Sequence, residues 1–277
     1  MLKTIAIIQA RMSSSRLPGK VLLPIGERTM LAWVVERTRR AATIDDVFVA
    51  TTTDPSDDPV AEFCKAQGYR GTRGSIHDVL DRYYHTAKAA RADVVVRITA
   101  DCPLIDPVLV DDAVNTLIGG RTSTPRFDFV ANRLPEPWGR TYPIGLDTEV
   151  FTFEALEKAW KRALLKHQRE HVTAFFYDET PVEYLRPRVD NAPFSSGMTP
   201  DGMQIALLHH QPDYGHQRWT VDTPEDLELI RRIVARFPND RFAWKDVLAL
   251  VESEPQLMQI NAQIKHKTHL DVDERTQ

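Results

Sequence analysis

The feature that most constrains this chain is an apolar stretch near its start that runs directly into a loop of small and cationic residues. Residues 4–9 (TIAIIQ) are apolar without alternation, a pattern typical of a strand buried on both faces. The next residues, 10–20 (ARMSSSRLPGK), combine small side chains with three cations. A thin backbone and fixed positive charges suit an anion such as a triphosphate. The sequence therefore predicts a phosphate-binding loop built by Ala10, Arg11, Ser13, Ser15, Arg16 and Lys20.

The end of this loop also has a predicted geometry. Pro18 and Gly19 favour a turn in which the glycine adopts positive φ, and this turn aims Lys20 back toward the loop. The loop is not a Walker A motif, because the G-x-x-x-x-G-K-[ST] spacing is absent and Val21 follows the lysine. The alternative interpretation is a set of solvated cations at a strand end.

The segments after the loop alternate between strand and helix patterns. A helix capped by Thr29 follows at 30–40, then a strand at 47–51 and a helix at 57–67. This alternation predicts an α/β fold, with a mostly parallel sheet covered by helices on both faces. Further expected elements are a helix to about residue 90, strands at 93–99, 127–131 and 142–151, a helix at 152–165, a helix that starts at His171, an edge strand at 182–187, a flexible connection at 191–202, and helices at 224–235 and 242–253.

Length and composition limit the classes of protein that fit. A chain of 277 residues suits one large domain, predicted at 1–240 with an acceptor-side and dimerisation excursion at 121–202, followed by a helix and polar tail at 241–277. With 35 Lys and Arg against 39 Asp and Glu, the net charge of −4 disfavours a nucleic-acid-binding surface. Cys64 and Cys102 lack the spacing of a zinc site or disulfide framework. With no signal peptide or membrane span recognisable, we expect a cytoplasmic protein.

One aspartate is a candidate metal ligand, and a second is not needed as a helix cap and is free for another role. Asp101 follows the β-branched strand 93–99, at the sheet edge where open α/β sheets bind ligands. Mg²⁺ prefers one or two carboxylates together with phosphate oxygens and water. The alternative, that Asp101 caps the next helix, is weaker because Asp106 is better placed. Asp222 precedes the cap Thr223, and its alternative role is to complement the dipole of the following helix.

Other candidate residues are less specific. Glycines flank Arg73 and Ser75 and leave space for a flat ring, but Ser75 and Asp78 also fit an ordinary helix start. Asp147 and Glu149 are two residues apart and share one strand face, where they bind a metal or an acceptor, or are simply solvated.

Three motifs resemble those of the CTP:sugar-acid cytidylyltransferases, which act on 3-deoxy-manno-octulosonate and acylneuraminate. These are residues 8–20 (IQARMSSSRLPGK), 100–104 (ADCPL) and 219–227 (WTVDTPEDL). The resemblance is greatest to the branch typified by spore-coat polysaccharide biosynthesis protein F. Two departures are Gln9, where the octulosonate enzymes have proline, and Ala100, where glycine is usual.

The resemblance implies a Rossmann-like three-layer nucleotidyltransferase fold of GT-A type and a homodimer. It implies that Arg73, Ser75 and Asp78 contact the nucleoside and that Asp101 and Asp222 hold Mg²⁺. The expected substrates are CTP and a small acidic sugar-like acceptor, which receives CMP while pyrophosphate leaves. Expected catalytic residues are Lys20, Arg11 and Asp101, and expected acceptor-side residues are Tyr142, Asp147, Glu149, Arg169 and His171.

The residues themselves favour nucleotidyl transfer over hydrolysis, because no water-activating base is evident beside the cationic loop. One alternative is a glycosyltransferase with a nucleotide-sugar donor, although the Asp101-Cys-Pro sequence lacks the usual Asp-x-Asp motif. The other is a nucleotide-binding module without catalysis. Release of pyrophosphate distinguishes the transferase from both.

Overall fold

The secondary structure alternates between strands and helices through most of the chain. The computed structural model describes residues 2–119, 126–186 and 192–264. The strands are β1 (Thr4–Gln9), β2 (Pro24–Ile25), β3 (Arg28–Thr29), β4 (Asp46–Thr52), β5 (Arg70–Gly74), β6 (Val94–Thr99), β7 (Phe129–Ala131), β8 (Glu149–Thr152), β9 (Phe194–Met198) and β10 (Gln204–Leu208). The α-helices are α1 (Met30–Thr38), α2 (Asp58–Gln67), α3 (Val79–Ala90), α4 (Pro107–Ile118), α5 (Phe153–Arg162), α6 (Lys166–His171), α7 (Ala174–Tyr177), α8 (Pro224–Val234) and α9 (Trp244–Ser253).

One sheet of eight strands forms the middle layer, in the order β5-β4-β1-β6-β8-β7-β10-β9. The first four strands in this order pair in parallel, and β8 and β9 are the strands that run against their neighbours. β1 lies between β4 and β6, so its loop begins in the middle of this parallel half. The predicted, mostly parallel sheet is confirmed.

Helices cover both faces of the sheet. Alternate residues of β1 point to opposite sides: Ala6 and Ile8 join one buried cluster, while Ile5 and Ile7 join the other. Helices α1, α4, α8 and α9 contribute to the first cluster, and α3, α5 and α7 contribute to the second. The three-layer α/β fold is therefore confirmed.

Local capping residues start several helices where the sequence predicts them. Thr29 accepts a hydrogen bond from Ala32 N at the start of α1, and Asp106 accepts one from Val108 N at the start of α4. Thr223 and Asp226 form a reciprocal capping box at the start of α8.

Two elements differ from the sequence-based expectations in the second half of the chain. Residues Val182–Leu185 form a 3-10 turn instead of an edge strand. The edge strand is β9, which lies inside the 191–202 segment expected to be a flexible connection. Pairing with the apolar β10 orders this serine- and glycine-containing stretch, and such long-range pairing leaves little local signal.

The 121–202 range is more than an excursion, because β7, β8 and β9 belong to the central sheet. Its predicted part in dimerisation stays a prediction. At the C-terminal end, α9 packs through Trp244 and Val247 on the first core cluster. The polar end of the tail, 265–277, lies outside the described residues. Within the described ranges, no helix combines the length and apolarity needed to cross a membrane.

Candidate active site

The loop after β1 is held in place by its own backbone and by a buried carboxylate. Met12 N donates to Asp57 Oδ1 at 2.6 Å, and Asp57 Oδ2 accepts a hydrogen bond from the Thr52 hydroxyl. Gly19 N donates to Met12 O at 2.8 Å, and Gly19 has the expected positive φ of 69°. Asp57 was not singled out in the sequence, because it reads as an ordinary helix start.

Lys20 joins the two aspartates predicted as metal ligands. Its Nζ lies 2.8 Å from Asp101 Oδ2 and 2.9 Å from Asp222 Oδ1, and it donates to Val221 O at 2.7 Å. Burial acts to lower the pKa of Lys20, but the two carboxylates outweigh it, so the pKa lies above its usual 10.5. Residues 20, 101 and 222 therefore meet in one charged cluster, which we call the lysine–aspartate cluster.

Backbone contacts bring the two distant aspartates together. Asp101 O accepts hydrogen bonds from Val221 N at 2.9 Å and from the Thr220 hydroxyl at 3.1 Å. Gly145 permits this approach, because a Cβ there would lie 2.6 Å from Thr220 N, and its φ of 103° disfavours any other residue. The chain thus ties the end of β6 to the segment before α8.

Arginines and a buried carboxylate surround Asp222. Arg16 and Arg218 place nitrogens 3.0 Å and 2.9 Å from Asp222 Oδ2. Asp226, which is fully buried, accepts hydrogen bonds from Arg218, from Asp222 N and from Asn261 Nδ2 at 2.9 Å. Burial would raise the pKa of Asp222, but Lys20, Arg16 and Arg218 hold it below 3.8. Ion pairs therefore hold both carboxylate oxygens of Asp222 in place.

The residues of the lysine–aspartate cluster fit Mg²⁺. Two carboxylates face the same point, and their side chains keep 26% and 19% of their surface exposed, at Asp101 and Asp222 respectively. No group of three or more His, Cys, Asp or Glu side chains suited to a metal occurs in the described ranges. Two carboxylates completed by phosphate oxygens are the donor set that Mg²⁺ accepts.

Two cavities lie at the carboxyl ends of the central strands, and both aspartates of the cluster line the second one. The first, of about 150 Å³, lies at the end of β1 and is lined by Ala10, Arg11 and residues at the start of α3. The second, of about 160 Å³, is lined by Asp101, Asp222 and residues of β6 and β8. His171 lines both cavities, so it lies between them. We call the first the β1 cavity and the second the acceptor pocket, a name that refers only to the predicted acceptor-side residues Asp147, Glu149 and His171 in its lining.

The acceptor pocket contains arginine side chains that are paired with carboxylates. Arg97 pairs with the buried Glu149, and Arg140 Nη1 lies 2.6 Å from Asp147 Oδ1. Arg133 lies within 3.7 Å of Asp147 and 3.9 Å of Glu149. The two acids are therefore paired with arginines and do not form a solvated face. Arg97 and Arg133 line the pocket together with the carboxylates of Asp101, Asp147, Glu149 and Asp222.

The comparisons with known proteins decide the family. The chain matches the family model described as cytidylyltransferase over residues 5–246. This chain belongs to the cytidylyltransferase family. It is accordingly an enzyme, a nucleotidyltransferase that uses CTP.

Individual relatives cover nearly the whole cytidylyltransferase. An uncharacterized Methanocaldococcus jannaschii protein, MJ1063, is 35% identical, over 99% of this chain and all of the relative. The spore coat polysaccharide biosynthesis protein SpsF of Bacillus subtilis is 32% identical, over 82% of this chain and 84% of SpsF. A solved cytidylyltransferase from Leptospira borgpetersenii is 31% identical, with a TM-score of 0.80 over 96% of this chain and all of that chain.

The nucleoside-side residues predicted in this cytidylyltransferase have partners within the protein. Arg73 Nε donates to Thr52 O at 2.7 Å, and its Nη2 lies 2.6 Å from Asp58 Oδ1. The Ser75 hydroxyl accepts from two backbone N–H groups at the turn before α3. Asp78 is the N-cap of α3, which gives it the structural role considered as the alternative.

Two acceptor-side expectations are corrected. Tyr142 does not line the acceptor pocket, because its ring packs against His210 and Trp244 in the core. Arg169 donates from Nε to Asp78 Oδ2 at 2.9 Å and from Nη1 to Trp160 O at 2.7 Å, so it fastens α6 to α3 and α5.

His171 also lies differently along the chain. It ends α6 instead of starting the helix that holds the phenylalanines, and it does line the acceptor pocket. Val172 after it has φ of 60°, a strained value for a β-branched residue.

Ser13 and Ser15 lie in the loop as expected, half-buried and exposed respectively. Sequence reasoning missed seven residues around the site, because their spacing along the chain gives no signal and their roles depend on their surroundings in the fold. They are Asp57, Arg82, Arg97, Arg133, Arg140, Arg218 and Asn261.

Proposed function

We propose that this enzyme is a Mg²⁺-dependent cytidylyltransferase that transfers CMP from CTP to a sugar-acid or related acceptor and releases pyrophosphate. The observation that supports this proposal is the lysine–aspartate cluster. It brings Lys20 within 3 Å of both Asp101 and Asp222, at the end of the cationic loop, and both aspartates line the acceptor pocket. We further expect, from the sequence alone, a homodimer located in the cytoplasm.

The loop and its cations bind the triphosphate in this proposal. Backbone N–H groups of residues 13–16 and the guanidinium groups of Arg11 and Arg16 meet the phosphate oxygens. Lys20 exchanges its carboxylate partners for a phosphate oxygen, where it stabilises the charge that develops during transfer. Asp101 and Asp222, released from Lys20, would hold Mg²⁺. The ion would supply neutralisation of the phosphate charge when it is bound.

The acceptor binds in the acceptor pocket, where its attacking oxygen lies next to the same aspartates. Arg97 and Arg133 line that pocket, and their guanidinium groups suit a carboxylate on the acceptor. Polysaccharide synthesis is the setting implied by the name of SpsF. Arg97 and Arg133 are the residues we expect to orient the acceptor.

The test measures pyrophosphate release from CTP, UTP, ATP and GTP with Mg²⁺ and a panel of sugar acids. We expect release with CTP only when both a sugar acid and Mg²⁺ are present. Asp101→Asn should abolish it, while Asp112→Asn, an exposed aspartate on α4, should not. Turnover that survives Asp101→Asn would contradict the site. Transfer of sugar from a nucleotide sugar, or CTP binding without release, would instead support the glycosyltransferase or the non-catalytic module.

A further inference from the structure

Arg82, in the first turn of α3, is a buried cation with unsatisfied donors. The residue is 6% exposed. Its Nε and Nη1 atoms are enclosed and have no acceptor in the described part of the chain. An arginine carries five N–H donors and no acceptor, so a buried guanidinium that lacks partners destabilises the free protein. A ligand that supplied the missing acceptors would remove this cost.

The neighbouring carboxylates are already engaged. Asp57 and Asp78 are the acids whose charges act on Arg82. Asp57 accepts from Met12 N and from a threonine hydroxyl, and Asp78 accepts from Asp81 N and from Arg169. Both nearby carboxylates therefore hold the loop and the helices in place. In the described part of the chain, Nε and Nη1 of Arg82 are left without an acceptor.

Arg82 borders the β1 cavity. The apolar side chains of Ala10, Ile76 and Val79 form part of the wall, and this wall suits a flat ring more than a hydrated phosphate. Glu170, on α6, lines the same cavity. The cavity thus combines a donor-only group with an acceptor-only group.

The glycine that ends β5 makes room for this arginine. A Cβ on Gly74 would lie 2.6 Å from Arg82 Cγ, so the arginine stem occupies the space that a side chain at 74 would fill. The strand and the helix are therefore shaped around the Arg82 side chain.

We propose that Arg82 and Glu170 select the base of the nucleotide: Arg82 donates to the O2 and N3 acceptors of cytosine, and Glu170 accepts from its 4-amino group. This inference rests on the proposed use of CTP. Uracil has an N–H at position 3 and a carbonyl at position 4. It would therefore place a donor opposite the N–H donors of Arg82 and an acceptor opposite the carboxylate of Glu170. Mispaired polar groups in an enclosed site reject a near-isostere strongly.

The first test separates a ligand-binding role from a structural one in the free enzyme. Arg82→Met keeps the length of the side chain and removes the unpaired donors. We expect its thermal midpoint without nucleotide to equal or exceed that of wild type, by up to about 4 °C. A midpoint below that of wild type would show that Arg82 supports the fold and would overturn the proposal. Arg70→Met, which removes an exposed arginine from β5, is the matched control and should change little.

The second test measures base selection as the ratio of kcat/KM for CTP and UTP, from pyrophosphate release. We expect Arg82→Met and Arg82→Lys to lower this ratio by roughly ten- to a hundred-fold, and Glu170→Gln to lower it because an amide can donate to the uracil O4. Gly74→Ala, which displaces the arginine and keeps its chemistry, should lower the ratio as well. Arg70→Met should keep it.

The phosphate arm uses tripolyphosphate as a competitive inhibitor. Its inhibition constant should be the same for wild type and Arg82→Met if the arginine contacts the base. A larger inhibition constant for Arg82→Met, with an unchanged CTP/UTP ratio, would show that Arg82 contacts phosphate and would overturn the proposal. If the wild type turns over CTP and every variant keeps the CTP/UTP ratio, this inference alone is overturned. If the wild type turns over no nucleotide, the proposed function is overturned together with this inference.

Discussion

The lysine–aspartate cluster and the β1 cavity each contain a buried cation, but the two cations differ in whether the free enzyme supplies them with partners. In the cluster, Lys20 contacts two carboxylates and a backbone carbonyl, so its ammonium group is satisfied. In the cavity, Arg82 keeps two enclosed N–H groups without acceptors in the described ranges. Binding must therefore exchange partners in the first region, whereas it supplies partners in the second. Substitutions should harm stability in the first region and spare it in the second.

The largest expected effect is that of Lys20→Met. The substitution leaves Asp101 and Asp222 facing each other without their shared cation, which should lower the free energy of unfolding by about 2–3 kcal/mol. It also removes a group that meets the charge developing on the phosphate, so kcat/KM should fall about 100- to 1,000-fold. Urea unfolding and pyrophosphate release check the two effects. Lys65→Met, an exposed lysine on α2, is the control.

The comparison with Arg82 makes this prediction specific. Lys20→Met should lower stability, while Arg82→Met should not, although both remove one buried cation. Equal losses in the two variants would contradict the distinction between the satisfied and unsatisfied regions.

The second prediction concerns acid. Burial raises the pKa values of Asp222 and Asp226, but the surrounding cations and donors hold both below 3.8 in the folded enzyme. Their contribution to stability is therefore present above about pH 4 and is lost as the pH falls toward the folded pKa values, by up to about 1.4 kcal/mol per pH unit for each group.

Urea unfolding from pH 5 to pH 2.5 measures this slope. Asp226→Asn should have a shallower slope than wild type, because one of the coupled carboxylates is gone. Arg82→Met should keep the wild-type slope, since the β1 cavity contributes no such pairing. A wild-type slope in Asp226→Asn would show that acid unfolding begins elsewhere.

The smallest predicted effect is that of Asn261→Ala. Asn261 Nδ2 donates to Asp226 Oδ1 and to Arg218 O, and it lies beyond the 5–246 range matched by the family model. Its loss should lower the free energy of unfolding by about 1–2 kcal/mol and raise the Mg²⁺ concentration that gives half-maximal turnover. Gln263→Ala, an exposed neighbour, should change neither quantity. A stability loss without a shift in the Mg²⁺ requirement would limit Asn261 to a structural role.

The parts of the fold and site with a local cause could be predicted from the sequence. Thr29, Asp106 and Thr223 begin helices through their own backbone contacts, and Gly19 takes positive φ because of its own turn. Lys20 was predicted from its loop and turn. The strand positions of β1 and β6 follow from continuous apolar runs.

The rest depends on contacts between distant segments. β9 is ordered by β10, and Arg97 is recognisable as a pocket residue only when Glu149 lies opposite it. Tyr142 was expected on the acceptor side from the family resemblance, but packing against Trp244 turns it into the core. Arg82 gave no signal, since an arginine in the first turn of an amphipathic helix is usually solvated.

The most direct test of the account is the affinity for CTP, measured calorimetrically with and without Mg²⁺. If Asp101 and Asp222 hold the ion against the triphosphate, Mg²⁺ should tighten CTP binding at least about ten-fold in wild type. In the Asp101→Asn and Asp222→Asn variants, Mg²⁺ should leave the affinity nearly unchanged. An equal gain from Mg²⁺ in wild type and in both variants would contradict the proposed metal site.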